Sequence, residues 1–202
     1  MIPLVIILIL VIGFLVLLLL NGGANSQFRK QAGGFFLTLS ATFVGVFAAA
    51  QLTISIEDAE SRQVFGNVVR HAIAEINSVK QNVDDVIELQ KIGIISLDQN
   101  MPLYPVTVEP LMVNQLFSSY ASVALPHYVQ EIQNLRKVRD QLLSSRSRSK
   151  LAENSYIYSK QLAHLEGILK IAIKLGENNI SQQVAETMLV DLRNTKVFGK
   201  NN

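Results

Sequence analysis
Hydrophobic positions run almost unbroken through two blocks near the N-terminus, then thin to a repeat of threes and fours. The first block, IPLVIILILVIGFLVLLLL at 2–20, and the second, FFLTLSATFVGVFAAAQLTISI at 35–56, carry no charged side chain. As a helix rising 1.5 Å per residue, the second is about 33 Å long, against a hydrocarbon core about 30 Å thick. Both blocks are therefore predicted to cross a membrane. The first has no basic residue ahead of it, unlike a cleaved signal peptide, and reads as a retained anchor. The intervening NGGANSQFRKQAG at 21–33 is short and turn-rich, so the two spans are predicted to pair as an antiparallel hairpin.

After Glu57 the pattern becomes heptad-like. Phe65, Val69, Ala72, Ile76, Val79, Val83 and Val86 fall at three- and four-residue spacing, with polar residues on the opposite side. This is the signature of a helix with one dry face. Ile73 and Ile87 widen that face beyond a two-stranded coiled coil and towards a multi-helix bundle. The same helix is predicted to continue from the second span, over Gly34 to Ile92, as a stalk with Gly66 as its weakest point. Pro102, Pro105 and Pro110 make 93–110 an extended connector. A short helix over Val108 to Tyr120, another over His127 to Leu143, a break at SSRSRSK (144–150), a helix ending at Leu175-Gly176 and a last one capped by Ser181 complete the pattern. The tail VFGKNN is predicted to be loose. The expected fold is all-α: a two-helix transmembrane hairpin, a long stalk helix and a four- to five-helix bundle. Its expected parts are 1–33, 34–56 and 57–202.

Composition narrows the chemistry. Arg29 and Lys30 are the only charged side chains before Glu57, so sixteen basic residues face sixteen acidic ones in the remainder. A net +2 spread in that way implies no nucleic-acid partner. The absence of cysteine excludes disulfides, thiolate nucleophiles and cysteine-ligated zinc. Arg29 and Lys30 on one side of the second span and Arg62 and Arg70 on the other nearly balance, leaving the side of the 57–202 domain open.

Three surfaces stand out as candidates for contact. Gly34, Thr38, Ala41, Gly45 and Ala49 form a small-residue strip along the second span, where close backbone approach favours helix association in lipid. The apolar face from Phe65 to Val86 suits bundle or stalk packing. The basic run Arg136, Lys137, Arg139, Arg146, Arg148 and Lys150 could hold anionic lipid headgroups or an acidic partner, or merely be a helix end and solvated loop. Ser40, Thr42, Gln51, Thr53 and Ser55 would line a pore if the spans assembled around one, or bond to their own backbone. His71 and Glu75, four apart, make only half a metal site, and His127 and His164 stand in no motif. No catalytic, cofactor or metal site is expected.

The run FVGVFAAAQLTISIEDAESR followed by the MPLYP connector resembles a group of uncharacterised prokaryotic two-span membrane proteins, with a likeness of layout over about 34–143. That resemblance implies an inner-membrane protein with a cytoplasmic helical domain, although the acidic EDAE departs from the basic flank such proteins would carry. The expected function is that of a non-enzymatic subunit contacting the bilayer, copies of itself or other membrane subunits. The alternative is an oligomeric effector or channel whose second spans line a pore and whose helical domain senses a signal.

Overall fold
The computed structural model describes residues 26–92, 104–145 and 147–198. These form six helices and no strand: α1 Ser26–Lys91, α2 Val108–Leu111, α3 Gln115–Tyr120, α4 Leu125–Leu143, α5 Arg148–Gly176 and α6 Gln182–Phe198. The first hydrophobic block, and with it the hairpin, lies outside the described residues. The chain divides into two compact units between Asp58 and Ala59.

α1 begins eight residues before the expected start. Ser26 to Gly33, read from sequence as linker, are helical. The run QFRKQA consists mostly of good helix formers, and extending an existing helix costs far less than nucleating a new one. The same economy carries α1 through Gly66 without interruption over 66 residues. Within the first unit the apolar segment has its large side chains outward: Phe43, Val44, Val46, Leu52, Ile54 and Ile56 are each at least half exposed. Its most apolar 18-residue window has a mean hydropathy of 1.3 and no buried residue. By length and composition, this helix is able to cross a membrane.

In the second unit α1 is a wall of the bundle rather than a bare stalk. Phe65, Val69, Ala72, Ile76, Val79 and Val83 are buried, and Val86 and Ile87 are half-buried. α5 runs antiparallel to it, with Phe65 against Gly176 at one end and Asp84 bonded to the Ser159 hydroxyl (2.6 Å) at the other. α4 also runs antiparallel to α5. Asn154 on α5 donates to the Gln141 carbonyl and the Ser145 hydroxyl, while Glu131 on α4 meets His164 on α5. α6 covers the far side of α5, where Leu192 sits on Gly167. Tyr128, Ile132, Leu135, Tyr158, Leu162, Leu165 and Leu169 fill the centre, each such side chain stabilising the fold by about 1.5–3 kcal/mol through removal from water.

The ends of these helices follow from local chemistry. The single short helix expected over 108–120 is two, because the Asn114 side chain accepts from Leu116 N–H and Phe117 N–H and so starts α3 afresh. Pro126 falls in the first turn of α4, where its missing N–H is no loss. The serine/arginine break is confined to a turn: Ser147 accepts from Lys150 N–H and caps α5, which therefore begins at Arg148. α5 stops at Gly176, but the left-handed residue is Asn178 at φ 58°. Asn179 N–H returns to the Lys174 carbonyl (2.8 Å) and Asn178 N–H to that of Leu175 (3.0 Å), which satisfies the last turn. Ser181 caps α6, whose helix reaches Phe198 and so takes in part of the tail expected to be loose.

Candidate functional site
The strip Gly34, Thr38, Ala41, Gly45 and Ala49 is exposed at every position. A Cβ added at Gly34 or Gly45 would meet nothing within 4 Å, so neither glycine is required by packing inside the chain. Four hydroxyls of the segment are already satisfied. Thr38 donates to the Gly34 carbonyl (3.0 Å), Thr42 to Thr38 (2.9 Å), Thr53 to Ala49 (3.0 Å) and Ser55 to Gln51 (2.7 Å). Each bond reaches back four residues along the same helix, so these side chains can sit in an apolar medium without a water-filled lumen.

Two members of the basic run have partners within the domain. Arg136 Nε donates to Glu109 Oε1 (2.8 Å), and the Arg139 guanidinium lies 5.0 Å from the centre of the Tyr104 ring. Both are taken up by the stretch from Tyr104 to Glu109, which leads into α2 and forms its start. Lys137 and Lys150 are exposed, and the side chains of Arg146 and Arg148 lie outside the described residues. Tyr104 also donates to Glu109 (2.9 Å). Burial, then that carboxylate, pushes the Tyr104 hydroxyl up to about 12. Arg136, followed by Tyr104, holds the Glu109 carboxyl below its usual range.

Glu75 proves to be a second anchor for the same segment, not half a metal site. Its carboxylate accepts from Val106 N–H (2.9 Å), Thr107 N–H (2.9 Å) and the Thr107 hydroxyl. His71, one turn earlier, stays exposed. Beneath the segment, the buried Tyr128 donates to the Val108 carbonyl (2.5 Å). Tyr128→Phe is therefore expected to lower stability by about 1 kcal/mol, since a largely buried carbonyl loses its partner. Urea unfolding followed by circular dichroism would measure it.

No family model, curated protein or solved structure matches this chain. The likeness of layout to two-span membrane proteins thus rests on the order of parts alone. Among the described residues, no three histidine or acidic side chains converge as metal ligands. A cleft of about 410 Å3, with a mostly apolar lining, opens among Val68, His71, Thr107, Pro110, Leu111 and their neighbours.

Sequence reasoning missed one group. Glu131 is buried at 4% exposure, with the His164 Nδ1 3.3 Å from its Oε2. That approach is not aligned as a hydrogen bond, and both ring nitrogens of His164 are buried without one. Glu131 sits between Tyr128 and Ile132 on the dry side of α4, a placement that was the available signal.

Proposed function
We propose that this protein is a membrane-anchored assembly subunit, acting by contact rather than by chemistry. Residues 35–56 cross the bilayer, and the strip Gly34, Thr38, Ala41, Gly45 and Ala49 packs against a second copy or another membrane subunit. The observation that carries this reading is the exposure of large apolar side chains along the apolar segment of α1, whose best window has no buried residue. An apolar surface of that extent in water would be costly, and a lipid environment removes the cost. The self-satisfied hydroxyls favour helix packing over a pore lining. The bundle supplies the second contact surface outside the membrane.

Native mass spectrometry of the complex, extracted from its own membrane in mild detergent, tests the reading. A multiple of 22.4 kDa is expected, or this chain with co-purifying subunits. Gly45→Ile, which forces a branched side chain into the strip, is expected to reduce the complex to a single chain and leave the bundle folded. A wild-type protein that runs as a monomer, or an Ile variant that assembles normally, would overturn the proposal. Ion flux from the reconstituted wild type that altered with Thr42 or Gln51 substitutions would favour a channel instead.

A further inference from the structure
The bundle has two unlike ends. Around Phe65 and Gly176 it is dry and clasped. Phe65 packs edge-on to Phe117 (5.9 Å between ring centres), Arg62 donates to the Gly176 carbonyl (2.7 Å), and Arg70 pairs with Glu177. Towards the C-terminal end of α1 and the N-terminal half of α5, polar atoms without hydrogen bonds are buried among the apolar side chains. Gln90, Ser155, Gln161 and His164 bury side-chain nitrogen or oxygen atoms that have no hydrogen-bond partner. Ser155 is fully buried and Gln161 is 5% exposed. The antiparallel pairing of α1 and α5 brings Gln90 towards the Ser155 end, because Asp84 already meets Ser159. At Gln90, Ser155 and Gln161 these atoms lose hydration on closing and gain no hydrogen bond in return, whereas His164 keeps the Glu131 carboxylate 3.3 Å from its Nδ1. Opening restores water to all of them.

We propose that this polar end is a built-in opening unit: Ser155 to His164 on α5, with the last turns of α1, separates and re-closes while the Phe65–Gly176 end stays shut. Folded domains do open in contiguous units whose stabilities differ, and buried polar groups lacking partners mark where the closed state is weakest. Opening exposes the Gln161 amide and the His164 imidazole, groups able to bond a polar partner. The inference does not depend on how the chain associates in the membrane.

Hydrogen exchange on the full-length protein in detergent, read by mass spectrometry on overlapping peptides, tests it. Amides of 155–164 are expected to exchange at least about tenfold faster than those of 165–175, once corrected for intrinsic rates. The double variant Ser155→Ala, Gln161→Leu removes two unsatisfied groups and is expected to slow exchange at 155–164 while leaving 165–175 unchanged. That rescue separates the opening from fraying at the start of α5, which the variant would not alter. Uniform protection along α5 in the wild type would overturn the proposal. So would a gradient that survives in a folded double variant. Should the variant not fold, the wild-type profile alone decides.

Discussion

Replacing Gly176 with alanine is expected to destabilise the bundle more than any other single-methyl change at its glycines. The added Cβ would lie 2.6 Å from Cδ1 of Phe65 and closer still to Cε1. An aromatic ring can relieve such a clash only by moving whole, and this ring is held on the other side. Phe117 and Tyr120 stand 5.9 and 5.8 Å from it, centre to centre, and Phe117 in turn abuts Tyr128 at 5.0 Å. Overpacking against a fixed neighbour costs about 2–3 kcal/mol. Gly167→Ala is the control, since its new Cβ would meet only the tip of Leu192, a flexible side chain that can rotate away. Its cost should stay below about 1 kcal/mol. Urea midpoints for both variants check the ranking. Phe65→Leu should recover part of the loss in the Gly176→Ala background, because the two sites are in contact and so are not additive.

The second large effect is expected at Glu75. Its carboxylate is the acceptor for three donors at 106–107, so Glu75→Ala leaves the segment before α2 without that anchor. Hydrogen bonds to a charged group are worth about 1.5–3 kcal/mol, and exposure of the site puts the loss at about 2 kcal/mol. Burial by itself raises the carboxyl of Glu75. The Thr107 hydroxyl, the N–H groups of Thr107 and Val106, and nearby His71 outweigh it and hold the group below 4.5. The stabilisation is therefore complete above the unfolded-state value and is lost as pH falls through the lower folded one. Glu75→Ala should show a shallower loss of stability on acidification than the wild type, measured by urea midpoints from pH 7 to pH 3. Some acid sensitivity should persist, because Glu109 is held low by Arg136 and titrates in the same direction. An unchanged acid limb in the variant would refute the assignment.

These two sites also show what could be read from the chain and what could not. The dry face of α1 was legible because burial along a helix repeats with the helix itself, and Phe65, Val69, Ala72, Ile76, Val79 and Val83 all keep that period. Tyr128, Ile132, Leu135 and Leu142 on α4 were legible for the same reason. Glu75 was not, since its partners lie 31 and 32 residues away in a segment with no periodicity. The partners of the basic run were hidden for a related reason. Arg136 and Arg139 turn to Glu109 and Tyr104, which lie about 30 residues earlier in the chain. Glu131 broke the rule that charged residues mark a wet face, although its place between Tyr128 and Ile132 set it on the dry side of α4. Where the strip on the apolar segment is concerned, the structure supplies its exposure and its internal hydrogen bonds, and its role remains the proposal made above.

The position of α1 in the bundle has a consequence for how the protein is made. Its dry face is synthesised early, but the residues that cover it come late: Arg62 and the Gly176 carbonyl it bonds are 114 residues apart. α4, α5 and α6, by contrast, meet their neighbours across short turns and can pair as soon as they leave the ribosome. At about 5–20 residues per second, the Phe65 face waits on the order of ten seconds for its cover. For that interval a nascent chain displays a long apolar stripe that only the 104–120 segment, with Phe117 and Tyr120, has emerged to meet. Chaperones that bind emerging hydrophobic helices should find their best target here, and translation speed between codons 65 and 176 should govern the yield of folded protein.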